Sequence, residues 1–198
     1  MSNEIRLSGI AVAAVDKVAR YLCTEAANLV HVGGGVYTFT DAARGKGVTV
    51  DTVNGLVYGV SGRLLINGVA SRKNNGYVYV SLTIINDGGD LEHVVIGQHD
   101  LVLLVINPAA YKEGLVCMHL NNCPWCNGIH NLRWGSPEEN DQHSRAVRKL
   151  YENEDHRVVP VKNSGGFEAL QLLEPLTTEE IKDLNGIVDD PDDWIICI

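Results

Sequence analysis

Apolar residues recur at intervals of three and four through residues 10–30, the spacing of a helix with one buried face. The glycine run Gly33-Gly34-Gly35 breaks that pattern, and Val36, Tyr37 and Phe39 then suggest a short strand or turn. Residues 41–54 admit two readings. Paired alanines, a glycine and a following Thr-Val pair have the outline of a helix-turn-helix, whereas VTVDTVNGLVYGV reads as two strands joined at Asn54-Gly55. Between residues 56 and 97, β-branched and aromatic runs alternate with Ser-Gly, Asn-Asn-Gly and Asp-Gly-Gly turns, which predicts antiparallel strands. The run QHDLVLLVI at 98–106 is apolar enough for a buried strand or a buried helix, and periodicity does not separate the two.

The clearest local signal lies further on. Ser136 stands where an N-cap belongs, Pro137 at the first helical position, and Glu139 where its carboxylate can close a capping box. A helix is therefore predicted over 137–151. Two short strands follow in VVPVKN and FEALQLLEP, and Thr177-Thr178-Glu179-Glu180 opens a last short helix to about residue 184.

Charge changes this picture. The formal net charge is -9. Residues 1–150 hold 13 Lys+Arg and 13 Asp+Glu, while residues 151–198 hold 3 and 12, so the last segment supplies the whole excess. A neutral body can still carry a local basic face, and Arg145, Arg148 and Lys149 begin one; affinity for DNA depends on such local neutralisation of phosphates. The acidic segment reads either as a solvated or packed terminus, or as a tail that competes with DNA or wraps a partner subunit. No apolar run reaches the roughly 18 residues of a membrane helix, and the first residues lack the features of a secretory signal. An intracellular protein with reduced thiols is expected, cytoplasmic in a bacterial or phage setting and nuclear in a eukaryotic one.

Three of the 5 cysteines fall within residues 117–126. Cys123-Pro-Trp-Cys126 is a C-x-x-C knuckle, with His130 close behind and Cys117 before it. Four soft or borderline donors so close together suit a tetrahedral structural zinc, with Cys23 as an alternative fourth ligand. The same cysteines could be a redox dithiol, but Asn127-Gly128 predicts a turn where such a pair needs a helix; they could also be plain buried residues. Strand alternation puts Cys117 and His119 on one face, so His119 can hold its imidazole toward a groove beside the stapled loop. Asn131 begins the next strand. Asn140 falls on the first turn of the capped helix, where its carboxamide oxygen could serve a hard cation such as Mg²⁺.

His119, the following loop and Asn131-Leu-Arg-Trp-Gly-Ser-Pro-Glu-Glu-Asn140 together resemble the ββα-metal (His-Me finger) core of HNH endonucleases, especially phage homing enzymes. With Cys123, Cys126, Asn127 and His130, the stretch is also similar to the His-Cys box homing endonucleases. Gly-Leu-Val-Tyr58, Ser-Gly-Arg63, Asn-Gly-Tyr77 and His99-Asp-Leu-Val102 loosely resemble the β-rich segment that precedes such cores. The resemblance spans about residues 51–149. It implies an α/β (α+β) protein with a zinc-stapled ββα-metal core behind an antiparallel, DNA-binding β-region. The segments would be a helical 1–50, a β-rich 51–112, a nuclease core at 113–150 and an acidic extension at 151–198. The implied activity is Mg²⁺-dependent hydrolysis of DNA phosphodiesters, with double-stranded DNA as partner. His119 would be the general base, Asn140 a magnesium ligand and Asn131 a brace for the loop. Arg133 or Arg145 would touch phosphate, and His143 would be a further metal or phosphate contact. Met118 stands where many HNH enzymes carry an aspartate that binds metal. One core cuts one strand, so double-strand cleavage would require a homodimer. The alternatives are a catalytically silent zinc-stabilised DNA-binding module and a C-x-x-C oxidoreductase.

Overall fold

The computed structural model describes residues 3–65 and 76–186, with side chains from residue 13 onward. Helix α1 (Asn3–Leu22) is followed by a 3₁₀ turn and four strands, β1 (Val30–Gly33), β2 (Val36–Asp41), β3 (Lys46–Asp51) and β4 (Leu56–Tyr58). They form one antiparallel sheet in the order β1-β2-β3-β4. Residues 41–54 thus take the strand reading, and the helix-turn-helix outline is not realised. β-Branched Val48, Thr49 and Val50 favour an extended chain, and Asn54-Gly55 supplies the turn. The boundary expected at 50/51 falls inside β3, so segments 1–50 and 51–112 share a sheet.

The hairpin β5 (Tyr79–Ile85) and β6 (Leu91–Gly97) pairs residue for residue from Tyr79↔Gly97 to Ile85↔Leu91. Alternate residues Val80, Leu82 and Ile84 are buried, as expected for a strand with one face on a core. Backbone Ala42 donates to Thr83 O at 2.8 Å, and Thr83 N donates to the Asp41 carboxylate at 3.0 Å, which ties this hairpin to the first sheet.

The ambiguous run becomes helix α2 (Gln98–Ile106), with residues 98–105 all buried. A helix satisfies its own backbone groups wherever it is buried, whereas a lone strand there would need a pairing partner. Val15, Val18, Ala19 and Leu22 of α1 pack with α2, Phe39, Val48, Val50, Val57 and the β5–β6 inner face into the main core. Among the described residues no helix is long and apolar enough to cross a membrane.

Strands β7 (Val116–His119) and β8 (Leu132–Gly135) pair antiparallel and lead into α3 (Pro137–Glu152). The capping box forms as expected: Glu139 N donates to Ser136 Oγ at 3.0 Å, and Ser136 N donates to Glu139 Oε2 at 2.6 Å. The chain closes with hairpin β9 (Val158–Lys162)–β10 (Glu168–Leu172) and helix α4 (Thr178–Asn185). Val147 and Leu150 of α3, with Val158 and Leu172 of the hairpin, make a second small core. Residues 158–185 are therefore docked on α3, while the acidic tail expected beyond them, from residue 187 on, lies outside the described residues. The assembly is α+β, with small antiparallel sheets.

Candidate functional site

The irregular residues between β7 and β8 are held by side chains that replace the missing strand pairing. Asn131, 6% exposed, accepts from Asn121 N at 2.8 Å. It donates to Asn121 Oδ1 at 2.8 Å and to Cys126 O at 2.7 Å. Three bonds from one carboxamide, with Cys123 N donating to Asn121 Oδ1 at 3.0 Å, tie the loop to itself.

His119 ends β7 and is 6% exposed. Its Nε2 lies 2.9 Å from Asn127 Oδ1, and Asn127 Nδ2 donates to Gln98 Oε1 at 2.8 Å. With its amide nitrogen engaged at Gln98, Asn127 can only accept from the ring. His119 therefore carries its proton on Nε2 and keeps the lone pair on Nδ1. The chain Gln98–Asn127–His119 fixes both tautomer and ring orientation.

Tyr77 and His99 complete the surroundings, with ring centroids 5.8 and 5.1 Å from that of His119. Burial lowers the pKa of His119 to about 3, with a smaller push from His99. Burial likewise lowers His99 to about 4 and raises Asp100 to about 7. In mildly acidic solution the 3.4 Å contact between His99 and Asp100 thus joins two neutral groups, not an ion pair. At neutral pH His119 is in its base form.

On α3, Asn140, Ser144 and Arg148 follow one another at four-residue spacing and share a face. They form one wall of a cleft of about 400 Å³ that His119 also lines. The opposite wall is the segment 167–170 at the start of β10 together with Pro124, and Asn122 and Tyr77 complete the lining. Leu172 N donates to Asn121 O at 2.9 Å and Asn122 Nδ2 to Leu170 O at 3.0 Å, so the loop carries that wall directly.

The other expected residues lie elsewhere. Arg133 pairs across the strands with Met118, lies 3.9 Å from Glu139 and does not line the cleft. Arg145 is paired with Asp141 at 2.6 Å. His143 is 3% exposed and bonded to the Leu120 backbone; burial lowers its pKa, and it pins α3 to the end of β7 instead of reaching the cleft.

The cysteines divide. Cys123 and Cys126 are hydrogen-bonded to each other. This bond raises the Cys123 pKa and, helped by Asn121 and the nearby His130, lowers that of Cys126. Cys117 packs instead against the main core beside Asp100, and burial raises its thiol pKa well above the ordinary value. Among the described residues no three His, Cys, Asp or Glu side chains are grouped closely enough to hold a metal ion. The expected four-ligand set is thus not assembled here. Cys23 is exposed and unpaired by disulfide. No helix starts at Cys123: an extended Gly128 and a single 3₁₀ turn at Ile129–Asn131 follow the knuckle.

The β3–β4 turn buttresses this loop. Ile129 N donates to Thr52 O at 2.8 Å. Gly55, at φ +65°, lies so close to the Asn127 peptide that a Cβ would sit 2.3 Å from its carbonyl carbon. Gly55→Ala should therefore cost about 2–4 kcal/mol, combining a left-handed backbone with overpacking. Urea unfolding measures this, and an unchanged midpoint would contradict the docking.

Sequence reasoning misses Gln98 and Ser144, and reaches Arg148 only as part of a basic face and Asn127 only as part of the stretch that carries the resemblance. A usable signal existed for Gln98: three polar residues, Gln98, His99 and Asp100, open an otherwise apolar run, and buried polar residues need partners. Comparison of the chain with protein families, with curated proteins and with solved structures found no match.

Proposed function

We propose that the protein is a DNA endonuclease that hydrolyses phosphodiesters in the cleft between α3 and the β9–β10 hairpin, with His119 as general base. The observation that carries this reading is the convergence of His119 and Asn140 on one cleft from a strand–strand–helix unit. His119 offers a neutral imidazole with Nδ1 unprotonated, the form that can accept a proton from an attacking water. Asn140 offers a carboxamide oxygen to the same cleft, and the carboxylate that lines it, Glu168, is shared with Lys162 at 3.1 Å. This donor set, completed by oxygens of the substrate phosphate, suits Mg²⁺, which keeps water and phosphate ligands and needs few from protein. When bound, magnesium supplies Lewis-acid stabilisation of charge on the leaving oxygen. Asn127 and Gln98 hold the base, Asn131 holds its loop, and Arg148 offers a cation to phosphate.

Zinc would sit at the Cys123/Cys126 pair, where His130 is near enough to act on the Cys126 thiol. A low-pKa Cys126 favours thiolate ligation, but the group lacks the assembled third and fourth ligands of a closed site. A metal-stabilised DNA-binding module without catalysis is the competing reading, and a C-x-x-C oxidoreductase is disfavoured by the absence of a helix start at the knuckle. Incubation with supercoiled plasmid tests the main reading: nicking or linearisation with Mg²⁺ and none without it is expected. Intact plasmid with every divalent ion would leave the binding module. Metal analysis of the purified protein decides the zinc reading: one zinc per chain would support it, and a metal-free protein with a titratable dithiol would overturn it.

A further inference from the structure

We infer that the cleft takes an unpaired or locally opened strand, with the base next to the reacting phosphate turned out of the stack onto the β9–β10 wall. This deepens the nuclease reading and rests on it for the identity of the ligand as nucleic acid; the strand preference rests on the shape and lining of the cleft alone.

The two walls differ in chemistry. The α3 wall is polar and presents Asn140, Ser144 and Arg148 in a row. Arg145 and Arg133 have carboxylate partners, whereas Arg148 has none among the described residues. An unpaired guanidinium beside two hydrogen-bonding side chains on one helix face suits a phosphate. The facing wall is largely apolar, with Phe167, Leu170 and Pro124. Glu168 also lines it, but its carboxylate is 3.1 Å from Lys162, so the wall is not a bare anion. Phe167 is backed edge-on by Trp125, with ring centroids 6.2 Å apart, and is packed close to Gly76 and Pro124. An aromatic ring fixed in this way is a stacking platform.

The hairpin that carries Phe167 is anchored to α3 through the Val147–Leu150–Val158–Leu172 cluster and to the loop through Asn121 and Asn122. The separation of the walls is therefore set by packing. A space of about 400 Å³ is at the lower end of what single small ligands occupy. A stacked base pair keeps its faces covered; only a base turned out of the helix can present one to Phe167 while its phosphate lies at Arg148. Negative supercoiling favours such opening, so a supercoiled plasmid still offers substrate.

Fluorescence anisotropy with labelled DNA of about 15 nucleotides, single-stranded or as the matching duplex and with Ca²⁺ replacing Mg²⁺, tests this without cleavage. The single strand should bind roughly tenfold tighter. Phe167→Ala should weaken single-strand binding by roughly tenfold and leave the duplex unchanged, and Phe167→Trp, which keeps the aromatic face, should restore it. Arg148→Gln should weaken both and reduce the slope of log K against log salt by about one. Duplex binding as tight as single-strand binding, or an unchanged affinity in Phe167→Ala, would overturn the inference. The nuclease reading fails separately: plasmid left intact by Mg²⁺ sinks it even where the strand preference holds.

Discussion

Replacing His119 with Ala is expected to slow DNA cleavage by about 10²–10⁴, the usual worth of a positioned general base, while DNA binding stays within about twofold. The separation follows from where the residue sits. The imidazole is almost wholly buried, reaches the cleft only at its inner side, and offers no charge to phosphate at neutral pH. Binding should come from Arg148 and the neighbouring polar residues of α3. Asn127→Leu should give an intermediate loss, because it frees the ring to change tautomer and rotate but leaves it in place. Single-turnover cleavage of a labelled substrate, beside anisotropy for binding, reads both. A His119→Ala protein that cleaves at the parent rate would exclude His119 as the base. Equal losses of binding and cleavage would instead make it a structural residue of the loop.

Local signals predicted the frame of this site well. The Ser136–Glu139 capping box starts α3 where the residue types require it. The Val48–Val57 pattern with Asn54-Gly55 predicts the turn that docks on the loop, although the alternative helix-turn-helix stood beside it. What local pattern could not supply is which side chains meet. Cys117 is near Cys123 in sequence and on the same strand face as His119, yet its strand pairs it with Trp134 and turns it toward the main core. Sequence spacing alone could not tell a ligand from a core thiol. Gln98 and Asn127 are 29 positions apart, so their bond depends on α2 being laid under the loop, a tertiary fact. The two strands of the hairpin wall are legible locally, whereas their seating on α3 is a tertiary fact. Leu172 in β10 and Val158 in β9 are what seat it on α3.

A second large effect should appear on acidification, and its sign comes from three groups that lie together. His99 and His119 have folded pKa values depressed to about 4 and about 3. Their contributions to stability are therefore present above the unfolded value near 6.5 and are lost as pH falls below it. Asp100, raised to about 7, acts oppositely. Its contribution is full below the unfolded carboxylate value and is lost as pH rises through 7, so acidification restores it. Between pH 6.5 and 4.5 two protons' worth of loss is offset by one of gain. At 1.36 kcal/mol per pH unit, with the unfolded imidazoles half protonated at the top of the window, the net fall is about 2 kcal/mol, and His143, depressed in the same direction, adds to it. Asp100→Asn removes the offset and should make the fall nearly twice as steep. His119→Gln, which can still donate to Asn127, should make it shallower. Urea titrations at a series of pH values read these slopes directly. A wild-type stability that is level or rises over that window would mean that the two imidazoles are not held neutral beside the cleft, and the tautomer assigned to His119 would lose its footing with them.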